Sequence, residues 1–515
     1  MVLLGAYAMQ QLQSNDPILV RLYLHKTDWI AGAGHAIGNN TTLKELDIIH
    51  VNFVDDDEED DHWFDELCMG LARNATIESM SLCVGNAPLD GLTPFLENNT
   101  RLHNFSVVGG LPMSVVSALS TRENDRLKRL DIDSVEPTDE VAELFFSMLN
   151  RKIFLSELKY SNNYVERRGC IALANWLKNS ATNIEYLELR NIGIGFDGLD
   201  DDYRIPILGN GLVLNTSLRT LDFSENNLGS ASGSMFLSEI MSSHLCKLEN
   251  LHLVSTGMRD EGLIGLGNAL AGNKSIRFMD ISGNTTITKS GWRGLTNYLR
   301  NQQSTLKEIG LNNCGIANDV AGEIISALAD NVCLERLVFR DDELSTDKVL
   351  SDILPIIFDK ASIDRTFCSN HTFHKIDIDL LRMRNDRESH CILRYLEMNE
   401  NENKVDVARQ KILDHHFTRD ETDINAFADM TEAVLPFAIE WIGRDRQARS
   451  LSLMHLFVRG FPTLFDVWDK QCAGLKRKFM ENIIKRDIIK DIHTNVLCIY
   501  LSAASPKPSI IIVTM

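Results

Sequence analysis

The sequence predicts an α/β solenoid shaped as a horseshoe: a parallel inner sheet, helices stacked outside it, and an α-helical block at the C-terminal end. Three observations predict it. A block of the form L-x-x-L-x-L recurs along the 515 residues, a stretch with helical spacing follows it, and asparagine stands at one fixed place between them.

The clearest blocks are Leu218-x-x-Leu221-x-Phe223, Leu248-x-x-Leu251-x-Leu253, Ile276-x-x-Met279-x-Ile281, Leu306-x-x-Ile309-x-Leu311 and Leu334-x-x-Leu337-x-Phe339. Others begin at Leu19, Leu43, Ile77, Leu102, Leu127, Leu155 and Ile184, and a last, weaker one at Phe373, which makes thirteen. Their starts lie about 30 residues apart, the length of one strand-plus-helix repeat. The final apolar pair of each block alternates with period two, so it forms a short strand with one buried face. After Leu253 the period changes. Leu263, Leu266, Ala269 and Leu270 fall on one side of a helix. A single strand and helix cannot bury their apolar sides, but stacked copies can. Helices are wider than the strand spacing, so the stack curves.

Asparagine supplies an independent sign. It stands three residues before the first apolar position at 40, 74, 99, 124, 215, 273, 331 and 370. Asn tolerates the left-handed backbone that ends a helix, so its recurrence marks the helix-to-strand corner. The sequons Asn40-Thr41-Thr42, Asn74-Ala75-Thr76, Asn215-Thr216-Ser217 and Asn370-His371-Thr372 are then corner grammar rather than glycosylation acceptors.

The segment from about 19 to 380, about 70% of the chain, resembles the leucine-rich repeat proteins of the ribonuclease-inhibitor class. The runs Leu306 to Ile316 and Leu218 to Leu228 match L-x-x-L-x-L-x-x-[NC]-x-L, with Cys314 and Asn226 at the turn position. Both read as buried partners of backbone groups. The N-terminal copies depart from the pattern, since Val51 and Gly85 or their neighbours stand where Asn or Cys is expected. The expected organisation is a horseshoe over residues 1–380 and a helical cap over 381–515. In the second part the stripes Val405, Ala408, Ile412, Leu413 and Phe417, then Met430, Ala433, Val434, Phe437 and Trp441, have helical spacing. Pro436 bends the latter, and Ser505-Pro506-Lys507-Pro508 precedes a frayed tip.

Composition narrows the function. The formal net charge is -20, from 72 acidic and 52 basic residues, which argues against a nucleic-acid-binding face. The excess lies in the repeats: residues 381–515 hold 20 basic and 19 acidic residues. No apolar run reaches the ~18 residues of a membrane span. The ten cysteines are scattered, with no CxxC, and Met1-Val2-Leu3-Leu4-Gly5 lacks a basic leader, so a reduced, cytoplasmic protein is expected.

No constellation points to catalysis, a cofactor or a metal. The acidic run Asp55 to Asp61 and the cluster Asp200-Asp201-Asp202 lack calcium-loop spacing and read as solvated loops feeding helix N-termini. His371 and His374 lack the Glu of a metalloprotease helix, and His415-His416 read as surface or packing histidines pointing apart. Gly262, Gly265 and Gly267 lie within a repeat helix, where small residues permit close packing. No phosphate loop or nucleophile elbow occurs.

One pattern bears on binding. The residue between the last two apolar strand positions faces away from the helices and reads Tyr23, Asp47, Ser81, Ser106, Asp131, Lys159, Glu188, Asp222, His252, Asp280, Gly310, Val338 and Asp377. Six of the thirteen are acidic, against the alternative that L-D-L is simply common grammar of this repeat class. The candidate partner-binding residues are therefore Asp47, Asp131, Glu188, Asp222, His252, Asp280 and Asp377. The expected function is a non-catalytic scaffold that binds a protein with a basic surface on this concave face. Two alternatives stand beside it. One is a regulator of a small GTPase similar to the Ran GTPase-activating class, with Asn226 and Gly229 in its functional loop; the other is a protein inhibitor of an enzyme.

Overall fold

The structure, a computed structural model of the chain, describes residues 2–3, 5–25, 29–49, 62–85, 89–121, 126–195, 202–340, 344–378 and 387–416. The chain divides into two compact units, residues 1–358 with 369–407 and residues 359–368 with 408–515. The stripes predicted beyond 416, the acidic run 55–61, Val51 and Asn124 fall outside the described residues.

The first unit holds a parallel sheet of fourteen strands in strict sequence order. They are β1 (Val2–Leu3), β2 (Arg21–His25), β3 (Glu45–Ile49), β4 (Ser79–Gly85), β5 (Asn104–Gly109), β6 (Arg129–Asp133), β7 (Glu157–Ser161), β8 (Tyr186–Glu188), β9 (Thr220–Asp222), β10 (Asn250–His252), β11 (Phe278–Asp280), β12 (Glu308–Gly310), β13 (Arg336–Val338) and β14 (Lys375–Asp377). Strands β2 to β14 coincide with the thirteen blocks. Strand β1 is additional: its two residues are too few to display the six-residue block, yet they pair with Leu22 and Tyr23. Each repeat helix packs on the next, and the block leucines, such as Leu221, Leu251 and Leu337, are fully buried between sheet and helices.

Strand length changes along the sheet. Strands β2 to β7 run for five to seven residues, β8 to β14 for three. In the shorter repeats Asn226, Asn284 or Cys314 is fully buried just beyond the strand and turns the chain. Asn226 donates from Nδ2 to the carbonyls of Leu189 at 2.7 Å and Phe223 at 3.0 Å, and Cys314 Sγ lies 3.4 Å from the Ile281 carbonyl. The residue before the turn position is left-handed: Glu225 has φ 59°, Gly283 φ 74° and Asn313 φ 51°, and Ser255, which precedes Thr256, φ 55°. The turn residue does not set this length: β7 runs for five residues although Asn163 is buried at its turn, while β8 and β10 stop at three with Ile192 and Thr256 there.

The corner asparagines are where the sequence places them, but for a different reason. Asn40, Asn99 and Asn215 have φ of −74°, −77° and −73°, so their backbone is extended rather than left-handed. Their side chains do the work. Asn215 Oδ1 accepts from the N–H groups of Ser217 at 3.0 Å and Leu218 at 2.8 Å, while Nδ2 donates to the Leu177 carbonyl at 2.9 Å in the preceding repeat. Asn40, Asn74, Asn273, Asn331 and Asn370 repeat this arrangement. One side chain thus serves two backbone donors and one acceptor that the corner would otherwise leave buried and unpaired.

The helix Arg387–Asn399 follows β14 and continues the pattern. Asn399 stands where the next corner asparagine belongs and donates to the carbonyls of Asn370 at 3.1 Å and Phe373 at 2.7 Å. Among the described residues no strand follows it. Glu402 occupies the first apolar position, and Asn403 instead caps the helix Lys404–His416, its Oδ1 accepting from the Asp406 N–H at 3.3 Å. In that helix Val407, Ala408 and Ile412 are buried while Val405 is exposed, which rotates the stripe read from the sequence.

In the second unit the Thr366 hydroxyl lies 2.8 Å from His416 Nε2. The rings of His415 and His416 meet edge to face with centroids 4.8 Å apart, rather than pointing apart.

Candidate functional site

The strand register gathers the thirteen middle residues into one row. Tyr23 pairs with Asp47, Asp47 with Ser81, Ser81 with Ser106, Ser106 with Asp131, and Asp131 with Lys159. The row continues through Glu188, Asp222, His252, Asp280, Gly310 and Val338 to Asp377. The alternation buries their neighbours against the helices, so the row lies on the helix-free face. Asp47, Asp131, Glu188, Asp222, His252, Asp280 and Asp377 are all half-buried, not fully exposed to solvent.

The row is not uniformly acidic in effect, because the protein supplies its own counter-ions to part of it. Asp47 pairs with Arg21 at 2.7 Å, Glu188 with Lys159 at 3.3 Å, and Asp377 with Arg336, which also holds Glu308 at 2.9 Å. Burial pushes the Glu188 carboxyl up. Hydrogen bonds from Ser161 at 2.8 Å and Tyr186 at 3.1 Å, with the Lys159 charge, outweigh that and hold it below the ordinary carboxylate value. At Asp131 burial wins over Lys159 and Arg129, and the carboxyl is raised.

Asp222 and Asp280 differ. Neither has an ion-pair partner among the described residues. Each accepts the N–H two residues on, from Ser224 at 2.9 Å and Ser282 at 3.0 Å. Between them on β10 stands His252, whose ring lies 4.8 Å from that of Phe278. Gly310 makes room for Asp280: a Cβ there would lie 2.6 Å from the carboxylate.

The flanking row, two residues earlier on each strand, carries chemistry that the block reading passed over. It contains the counter-ions Arg21 and Arg336 and the aromatic side chains Tyr186 and Phe278 on the same face. Reading position i−2 beside each middle residue would have found them, since both face one way.

Other candidates resolve structurally. The cluster at 200–202 is not a solvated loop at Asp202, which is 5% exposed and bound at 2.7 Å to Arg204, itself 1% exposed. Arg204 also donates to the carbonyls of Val165 at 3.1 Å and Gly193 at 3.0 Å, and Asp202 accepts from the Gly195 N–H at 2.7 Å. Burial raises the Asp202 carboxyl, but Arg204 and the Gly195 and Arg204 N–H groups outweigh it and hold the group low. Asn226 is fully buried and holds the turn, while the Gly229 N–H bonds Asn227 Oδ1 at 3.1 Å. Gly267 lies so close to the next helix that a Cβ would meet the Gly294 carbonyl at 2.9 Å. Among the described residues no group of three or more His, Cys, Asp and Glu could hold a metal, and no helix is long and apolar enough to cross a membrane.

The relatives agree with this architecture. The chain is 26% identical over 233 residues to mouse NACHT, LRR and PYD domains-containing protein 14, covering 45% of this chain and 22% of that protein. It is 27% identical over 262 residues to mouse ribonuclease inhibitor, covering 51% of this chain and 56% of the inhibitor. The chain thus spans about a fifth of the first relative and about half of the second. Among solved structures, the tropomodulin C-terminal domain of Caenorhabditis elegans matches 32% of this chain and 93% of its own at 13% identity, with a TM-score of 0.26. No family model matches. The thirteen blocks and the ordered parallel sheet are those of a leucine-rich repeat solenoid, and the sequence relatives show that it is similar to the ribonuclease-inhibitor-like class.

Proposed function

We propose that the chain is a non-catalytic interaction module that binds a basic surface of a partner protein on the helix-free face of its repeats. The observation that carries this reading is the pair Asp222 and Asp280, two half-buried carboxylates with no ion pair among the described residues, in register on an uncovered sheet of a chain with net charge -20. A field of this sign speeds encounter with a basic surface and repels nucleic acid. The reading requires no cofactor, and a cytoplasmic location is proposed with it. Asn226, the residue a GTPase-regulating loop would need, is occupied in the turn, which favours the binding module over that alternative.

Capture on the immobilised full chain followed by mass spectrometry identifies the partner. Its association rate falls as salt is raised, because exposed charges are screened over ~8 Å at physiological ionic strength. The double reversal Asp222→Lys with Asp280→Lys slows association at least tenfold at low salt and leaves the circular dichroism spectrum unchanged. A partner whose association rate ignores both salt and the double reversal refutes the reading and leaves the stripe as repeat grammar.

A further inference from the structure

We infer that the face around β9 to β11 is shaped for one α-helix of the partner, laid across the strands, with basic residues at i and i+7 and an apolar residue at i+3 or i+4. This rests on the binding reading above and specifies its ligand. Charge complementarity and the spacing of the row carry it.

Asp222, His252 and Asp280 sit at register-matched positions on three consecutive strands. Neighbouring strands are about 4.8 Å apart, so the two carboxylates are about 9.6 Å apart with the imidazole midway. Along a helix the rise of about 1.5 Å per residue puts i+3 and i+4 about 4.5 and 6 Å from i, and i+7 about 10.5 Å from it, all on one side. A strand laid in the same direction fails this match, because its same-side residues recur about every 6.7 Å. The middle of the site suits an apolar contact, since the His252 and Phe278 rings meet there with centroids 4.8 Å apart. Elsewhere in the row a basic partner meets competition: Asp47, Glu188 and Asp377 already hold Arg21, Lys159 and Arg336. Asp222 and Asp280 make no ion pair among the described residues, although the Arg190 charge acts on Asp222. Gly310 next to Asp280 carries no side chain to obstruct the end of such a helix.

The test uses two designed alanine-based helical peptides of equal composition and length, titrated by fluorescence anisotropy into the full chain. One carries Lys at i and i+7 with Leu at i+3 and i+4. The other carries Lys at i and i+5, which puts the two charges on different sides. The first is expected to bind at least tenfold more tightly. Asp222→Asn with Asp280→Asn should bring it down to the level of the second, and Asp131→Asn should leave it unaltered. Equal binding of both peptides, with salt sensitivity intact, overturns the helix assignment and leaves the basic-partner reading standing. Binding of neither peptide overturns the helix assignment as well, and capture of a basic partner in the pull-down then decides the wider reading separately.

Discussion

Replacing Arg204 by Met tests how the longer seventh block, the repeat of β8, is held together. The guanidinium is 1% exposed, and its loss leaves the Asp202 carboxylate buried without a counter-charge. It also removes the donors to Val165 and Gly193. Breaking a buried pair by removing one partner costs about 3–5 kcal/mol. Removing both charges, with Asp202→Ala added, leaves only unpaired backbone groups at about 1–3 kcal/mol each. The double variant should therefore be less destabilised than the sum of the two single variants, with a coupling of about 2 kcal/mol or more. Local opening is the right observable, because repeat arrays do not unfold as one unit. Hydrogen exchange of peptides spanning 186–215 reads it directly. The pH dependence has a definite sign. Asp202 is held below its unfolded value of about 4, so its contribution is present above that pH and is lost as pH falls through the folded value. Protection in the natural protein should decline below pH ~4. If the single variants each cost less than about 1 kcal/mol, or their effects simply add, the pair does not act as argued.

Two further outcomes follow from the corners and from the C-terminal end. Asn331→Ala removes the acceptor of the Cys333 and Leu334 N–H groups and the donor to Leu299, and should cost about 2–4 kcal/mol in the local opening free energy read by hydrogen exchange around that corner. Asn331→Asp should not restore it, because the Nδ2 donor stays absent; full rescue by Asp would show that only the acceptor matters. Ending the chain at residue 380 removes the helix Arg387–Asn399 and the corner bonds of Asn399, and should yield an aggregating protein; a soluble truncation with an unchanged melting profile would count against this.

Much of the fold was legible because repeat grammar is local. Thirteen strands could be placed from the L-x-x-L-x-L spacing, since each repeat meets the same neighbour geometry and solves it with the same residue types. The corner asparagines were legible as positions but not as chemistry. Their function is to reach a carbonyl some thirty residues earlier in sequence, as Asn215 does at Leu177, and no local rule contains that partner. Charge was the least legible feature. A carboxylate looks alike in every block, and only the neighbouring repeat decides whether it meets a cation.

The sequence by itself determined the repeat unit, its count to within one strand and the face on which the acidic row lies, because period-two alternation fixes sidedness. The tertiary structure decided which members of that row remain available. Ion pairs form between strands whose residues stand some thirty apart in sequence, so Asp47, Glu188 and Asp377 are engaged while Asp222 and Asp280 are not. It decided equally that Asp202, one of three consecutive aspartates, lies buried against Arg204. Register and burial depend on what each neighbouring repeat presents, and that is settled only when the repeats stack.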